Sequence, residues 1–239
     1  MNAPLQTISL PLVRPLGCAL LAAMVLLTCL MPLFFVEAMQ QALENLHLSP
    51  TGAMLAMFGL IFGSAVNLPL LTIPRDSRTP VLLPPGAVLP PAGPAGETLV
   101  SVNVGGCLVP LLLAAWLLPM IVAAGPRVVA TLLVGCVVNT VVCYRLARIV
   151  PNVGIALPWL IPPATAVLVA AMGIPDPALR TTLAPVAYVV GISGPLIGAD
   201  LLHLRDFSRV GRGMVSIGGA GTWDGIVLAG LAAAFLAGA

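Results

Sequence analysis

Lysine is absent from this 239-residue sequence, and charged residues of all kinds make up only 8% of it. Soluble domains carry charge on about a quarter of their residues, so the composition excludes an ordinary soluble protein. The ten basic residues are all arginines, and the net charge of +2 is too small and too dispersed to indicate a nucleic-acid partner.

Cysteine is also scarce, with five residues that lie within apolar runs and show no C-x-x-C spacing. This pattern excludes a zinc-binding framework and a disulfide scaffold. The sequence therefore predicts no metal site and no cofactor.

Hydrophobic residues, by contrast, make up 59% of the chain, and the mean hydropathy is +1.10. The apolar runs are continuous over roughly 20 residues, which favours spanning helices over the alternating strands of a membrane barrel. We therefore predict an all-α fold, a polytopic transmembrane bundle forming a single membrane domain over residues 1–239. The lipid bilayer is its first expected partner. About seven spans are predicted, at 16–37, 51–72, 99–124, 128–146, 154–174, 181–203 and 214–237.

The arginines give independent support to that count. With a cytoplasmic N-terminus, eight arginines fall in inside segments, and only Arg127 and Arg180 fall outside. This is the asymmetry that the positive-inside rule requires, and one span more or fewer would destroy it. The predicted orientation is N-terminus cytoplasmic and C-terminus outside, in the cytoplasmic (inner) membrane.

Prolines interrupt the pattern of predicted membrane-spanning helices at two places. Residues 73–98 are too rich in proline for a helix and predict an extended cytoplasmic loop. Pro158, Pro162 and Pro163 should kink or interrupt the fifth helix near its start. Broken helices are tolerated in membranes only where protein or water satisfies the exposed backbone, so a polar cavity is expected.

Polar and glycine residues inside the apolar runs define a candidate binding site. Asn67 precedes Pro69 in the second span, and the last two spans carry Asp200 and Asp224. An ionised Asp at the centre of a spanning helix costs about 2.5 to 3.5 kcal/mol, so such residues usually face a cavity or a partner. The full candidate set is Asn67, Asn103, Gly105, Gly106, Asp200, His203, Gly218, Gly219, Gly221, Thr222 and Asp224.

The segments GADLLHL, SIGGAGTWDGI and SVNVGG, with the N-L-P of the second span, carry a family resemblance. Together they resemble the prokaryotic membrane family known as domain of unknown function 1614. The resemblance extends over nearly the whole chain and is weakest in the Pro-rich loop. It implies a prokaryotic integral membrane protein and supplies no reaction.

The depth of the two aspartates decides what they can do together. If both helices were straight, Asp200 would lie near the cytoplasmic interface and Asp224 near mid-span, separated by roughly 12 Å at 1.5 Å per residue. They approach each other only if the glycine-rich segment 216–221 is unwound and a short helix begins at Thr222.

Three functions fit these residues. The first is a carrier-like protein that handles a proton, a cation or a small solute with the polar residues above. The second is an intramembrane aspartyl protease with Asp200 and Asp224 as catalytic residues and a membrane-protein substrate. Its glycine-rich lead departs from the G-x-G-D motif, because Thr222 and Trp223 intervene before Asp224.

The third is a structural membrane protein without a catalytic or transport site. In that case Asp200 would pair with Arg205 or Arg209, and Asp224 would cap a helix. A metal site formed by Asp200, His203 and Asp224 is a further alternative. A single histidine near an interface, however, is more often hydrogen-bonded or solvated than bound to a metal. The sequence leaves the identity of the ion, solute or substrate and the oligomeric state open.

Overall fold

The computed structural model describes residues 13–74, 96–151, 153–210 and 213–239. The chain divides into two compact units, Met1–Ala38 and Met39–Ala239. Helix α1 spans Val13–Asn45, and its part within the first unit is strongly apolar, with side chains such as Leu20 and Met24 more than half exposed. A helix of this length and composition suits a lipid environment rather than water.

The described residues of the second unit form six further α-helices: α2 (Pro50–Gly63), α3 (Val109–Ala123), α4 (Pro126–Leu146), α5 (Ile161–Gly173), α6 (Leu183–Ser193) and α7 (Gly225–Gly238). Two of them are continuous with π-helical segments, Val104–Leu108 before α3 and Gly194–Leu201 after α6. Single π-helical turns inside longer helices are rare and occur often at functional sites.

Helix α6 is the centre of the second unit and packs against α4, α5 and α7. Small residues allow this close packing. A side chain on Gly191 would meet the carbonyl oxygen of Ala229 at 2.8 Å, and one on Gly198 would meet that of Thr140 at 2.4 Å. Glycine at such positions lets two helix backbones approach closely in a membrane.

The described residues also form five β-strands. A three-stranded sheet has the order β1 (Asn67–Pro74), β2 (Glu97–Asn103) and β5 (Met214–Ile217), and a small hairpin pairs β3 (Arg148–Val150) with β4 (Gly154–Ala156). Strand β1 is antiparallel to β2, whereas β5 is parallel to it.

The strands correct the prediction of an entirely helical fold. The predicted spans 51–72, 99–124 and 214–237 each contain a segment that is a strand in the structure. Pro69 disfavours helix within β1 and lies where the register of the strand pair shifts, a position that tolerates its missing N–H. The other two segments pair with each other, so their backbone groups are satisfied between strands. Hydropathy alone does not register such pairing.

The fold is mostly helical, as predicted, and the described residues contain four helices long and apolar enough to cross a membrane: Gly17–Asn45, Val104–Ala123, Pro126–Leu146 and Pro177–Leu201. Helices α2, α5 and α7 are apolar but have only 13 or 14 residues. The predicted interruption of the fifth span agrees with the structure, because α5 begins only at Ile161 and carries Pro162 and Pro163 in its first turn. Most of the predicted Pro-rich loop, residues 75–95, lies outside the described residues.

Candidate functional site

Asp224 stands between a glycine-rich turn and the start of α7. After β5 the chain turns at Gly218 and Gly221, both with positive φ (70° and 61°), which glycine adopts at little cost. The Asp224 carboxylate then accepts hydrogen bonds from the backbone N–H of Ile226 at 3.0 Å and of Ala220 at 3.2 Å. It is the N-cap of α7, and the segment from Ser216 is not a continuous helix.

Asp200 reaches the same region from the other side. It lies in the π-helical end of α6, and its Oδ2 accepts a hydrogen bond from the N–H of Gly218 at 3.4 Å. The same turn thus donates one backbone N–H to each carboxylate, from Gly218 to Asp200 and from Ala220 to Asp224. The unwinding of the segment after β5 therefore brings together the two aspartates that straight helices would separate.

Both aspartates line a cavity of about 370 Å³. The cavity is bounded by β1, β5, the β3–β4 hairpin and the turn after β5. None of its described lining residues is basic, and its full lining is Asn67, Val153, Gly154, Ile155, Asp200, Phe207, Met214, Val215, Ser216, Gly219, Ala220 and Asp224.

A hydrogen-bonded layer supports one wall of the cavity. The Oδ1 of Asn67 accepts from the Ser216 hydroxyl at 2.7 Å and from the Asn103 amide at 3.1 Å. Asn103 is fully buried, donates also to the carbonyl of Ser64 at 2.8 Å, and accepts from the N–H of Gly106 at 2.7 Å. Asn103 thus holds Asn67 and the start of the π-helical turn in fixed positions.

Close backbone contacts at glycines join this hydrogen-bonded layer to the glycine-rich turn before Asp224. A Cβ on Gly106 would come within 1.9 Å of the carbonyl oxygen of Gly218, and one on Gly221 within 2.4 Å of the Ser64 side chain. The Ser64 hydroxyl also accepts from the N–H of Thr222 at 2.8 Å. The two glycine-rich segments are therefore packed backbone against backbone.

Ten of the eleven predicted site residues lie at the cavity or next to it. Asn67, Asp200, Gly219 and Asp224 line the cavity. Six more pack behind or beside the lining: Asn103, Gly105, Gly106, Gly218, Gly221 and Thr222.

His203 lies apart from the cavity lining. One ring nitrogen contacts the carbonyl of Gly198 at 3.0 Å, and the ring packs on Tyr144 with centroids 4.8 Å apart. In the described part of the chain, no three His, Cys, Asp or Glu side chains group as a metal site would require. The histidine therefore has a packing role in this structure.

The expected ion pair of Asp200 with Arg205 or Arg209 does not occur among the described residues. Arg209 instead pairs with Asp206 at 3.1 Å, near the surface. Asp224 does cap a helix, and it also faces the cavity. Helix capping and cavity lining therefore coincide in a single side chain.

Sequence reasoning missed two serines and a hairpin. Ser64 and Ser216 bridge the glycine-rich segments and Asn67, and the hairpin supplies Val153, Gly154 and Ile155 to the lining. Serine is common in membrane helices, so neither serine stands out from the sequence. For Ser216 the sequence holds one signal: SVNVGG (101–106) and SIGGAG (216–221) both begin with a serine and end in glycine, and Ser101 and Ser216 are register partners in β2 and β5.

These features fit a membrane protein: the described residues are mostly helical, four of their helices are long and apolar enough to cross a membrane, and an acidic cavity lies where a small sheet meets the helix ends. The model of the family described as Protein of unknown function (DUF1614) matches residues 61–236, and the chain belongs to that family. The match includes every residue that lines the cavity. No match was found among curated proteins or among solved structures.

Proposed function

We propose that this protein is a carrier-like membrane protein that binds a proton or a small cation in the cavity between Asp200 and Asp224. The observation that carries the proposal is that both carboxylates line one cavity with no basic side chain in its described lining. Two neighbouring carboxylates repel each other when both are ionised, and a bound proton or cation relieves that repulsion.

The neutral lining groups suit a cation as well. The Ser216 hydroxyl donates to Asn67, so its lone pairs remain available as acceptors, and backbone from Gly219 and Ala220 also borders the cavity. Oxygen ligands of this kind, with unwound backbone, are typical of ion sites at broken membrane helices. Anionic solutes would meet two carboxylates and are disfavoured.

The contacts at one end of the second unit support the predicted outer face. His47 contacts the carbonyl of Thr181 at 2.8 Å, and Arg127 donates to the carbonyl of Gly173 at 3.0 Å. Asn45 donates to the carbonyl of Ala234 near the C-terminus at 3.2 Å. All these residues lie in or next to segments that the seven-span topology puts outside.

The other predicted face is supported by the sheet. Strands β1 and β2 flank one predicted inside segment, 73–98, and β5 follows another, 204–213. All three lie in one sheet, which also contacts the segment Leu204–Arg209. These groupings are what a seven-span chain with a cytoplasmic N-terminus requires. In that topology α2, α5 and α7 complete their spans with non-helical segments, and the acidic cavity opens toward the cytoplasm.

Flux through reconstituted protein tests the proposal. Liposomes containing the purified protein should transport protons, Na⁺ or K⁺ down an imposed gradient, measured with a trapped pH dye and with ion-selective dyes. Asp200→Asn should reduce the flux by about tenfold or more, equivalent to about 1.4 kcal/mol of lost cation stabilisation.

The matched control is Asp206→Asn. Asp206 is paired with Arg209 and does not line the cavity, so this variant should retain flux. Absence of flux for all three ions in the parent protein, or equal flux in Asp200→Asn and the parent, would contradict the proposal.

An intramembrane aspartyl protease is the second candidate, and the shared cavity of two carboxylates is the observation that favours it. Both oxygens of Asp224 accept backbone hydrogen bonds, however, which favour its ionised form. An ionised Asp224 suits a cation held beside it and opposes the exchange of acid and base roles that a protease dyad needs. Cleavage of a membrane-tethered reporter, lost in both Asp200→Asn and Asp224→Asn, would establish the protease instead.

A further inference from the structure

A second cavity, of about 490 Å³, lies between α4 and α5, and neither Asp200 nor Asp224 lines it. Its described lining is almost entirely apolar, with one basic residue and no acidic one. The lining residues are Arg127, Ala130, Thr131, Val134, Val169, Met172 and Gly173.

Small residues form the floor of this groove. A Cβ on Gly173 would come within 2.3 Å of the Thr131 side chain, so glycine there permits α5 to lie directly on α4. The Thr131 hydroxyl donates to the carbonyl of Arg127 at 2.9 Å, which satisfies its polar group. Val134 and Met172 stand at the sides, with 57% and 73% of their surface exposed. The result is an open trough in a surface that suits lipid contact.

One end of the trough carries a fixed positive charge. The Nε of Arg127 donates to the carbonyl of Gly173 at 3.0 Å, which holds the guanidinium beside the groove. No acidic side chain pairs with Arg127 among the described residues. Guanidinium groups bind phosphate through paired N–H donors, and this one retains its two Nη groups for such a contact.

We propose that the groove between α4 and α5 binds an anionic phospholipid, with one acyl chain along the apolar trough and the phosphate at Arg127. The combination of an apolar groove and a single cation at its end matches an amphiphile with one negative charge. Basic pockets between membrane helices bind anionic headgroups by this chemistry. The proposal does not depend on the function of the acidic cavity.

A tryptophan reporter in the groove tests this assignment. Met172→Trp introduces a fluorophore at a highly exposed wall position, and the native tryptophan signal is subtracted with the parent protein. Brominated phosphatidylglycerol should quench the reporter at lower mole fraction than brominated phosphatidylcholine, with a preference of about fivefold, as expected for one basic residue near a lipid headgroup. Adding Arg127→Gln should reduce that preference to about one.

The matched control is Arg180→Gln. Arg180 is an exposed arginine that does not line the groove, so its loss should leave the preference unchanged. Equal quenching by the two lipids, or equal loss of preference in both arginine variants, would overturn the proposal. Native mass spectrometry of the parent protein needs no reporter: the parent should retain phosphatidylglycerol and Arg127→Gln should not. Equal retention would also overturn it.

Discussion

Two segments of this chain each lead from a strand through glycines into a helix, and the side chains that cap their helices differ in charge. The first runs from β2 directly into the glycine-containing π-helical segment before α3, and the second runs from β5 through a glycine-rich turn into α7. Their strands are parallel neighbours, and in each a side chain near the glycines accepts a backbone N–H at a helix start. That side chain is the amide of Asn103 in the first segment and the carboxylate of Asp224 in the second.

The difference follows from what surrounds each side chain. Asn103 is fully buried and both donates and accepts, so a neutral amide satisfies Ser64, Asn67 and Gly106 at once. A carboxylate only accepts, and its charge is costly in a dry environment. Asp224 faces a cavity. The neutral cap thus lies in the buried hydrogen-bonded layer, and the charged cap lies where a cavity reaches it.

Asn103→Asp should cause the largest loss of stability, because it puts a charged side chain at the cap that is neutral and buried. It removes two donors and places an unpaired carboxylate in a fully buried position, so we expect a loss of about 4 kcal/mol in the free energy of unfolding. Denaturant unfolding in mixed micelles measures this loss. An Asn103→Asp protein as stable as the parent would contradict the supporting role.

Gly106→Ala would separate the two segments where they touch. The new methyl group would overlap the Gly218 carbonyl, and backbone on both sides resists movement, so a loss of about 3 kcal/mol is expected. Gly225→Ala is the control. Gly225 lies in the first turn of α7, and the nearest atom to a Cβ there would be 3.8 Å away. This variant should therefore have an unchanged or slightly raised stability. The same unfolding measurement compares the two variants.

Asp224→Ala should cost less than either of these changes, about 1.5 kcal/mol, because two backbone N–H groups lose their acceptor at a helix start. Asp224→Asn should cost less, about 1 kcal/mol, since asparagine keeps the oxygen that caps Ile226 but its amide nitrogen cannot accept from the N–H of Ala220. Unfolding of the two variants side by side separates the capping role from the charge. Equal destabilisation by both would show that the charge itself stabilises the fold.

Ser216→Ala has the smallest expected effect. It removes one hydrogen bond to Asn67 and should reduce stability by about 0.7 kcal/mol. Ser101→Ala, at the register partner in β2, provides the comparison, because the Ser101 hydroxyl donates a long hydrogen bond, of 3.4 Å, to the carbonyl of Val215. A larger loss for Ser101→Ala than for Ser216→Ala would reverse the assigned roles of the two strands.

Composition and periodicity predicted the helical membrane character of the chain, because a long apolar run satisfies its backbone only as a helix in lipid. They failed at residues 67–74, 97–103 and 214–217, where apolar sequence forms strands. Pairing of β1 with β2, and of β2 with β5 more than a hundred residues away, as for Val102 and Ile217, satisfies the backbone there and leaves no local periodic signal.

For the site, the intramembrane cost of a carboxylate was enough to select Asp200 and Asp224 from the sequence. Their depth could not be derived from straight-helix geometry, since it depends on the turns at Gly218 and Gly221. The serine contacts could not be predicted at all, because they depend on the packing of one glycine-rich segment against the other.

The most direct test of the account is ion flux through Asp224→Asn protein in liposomes, with the thermal unfolding midpoint measured on the same preparation. The account predicts an unfolding midpoint lowered by only about 3 °C and a flux reduced by about tenfold or more, because asparagine keeps the oxygen that caps α7 while the charge is removed. Full flux with a midpoint lowered no further than this would contradict the claim that the cavity carboxylates bind the transported cation.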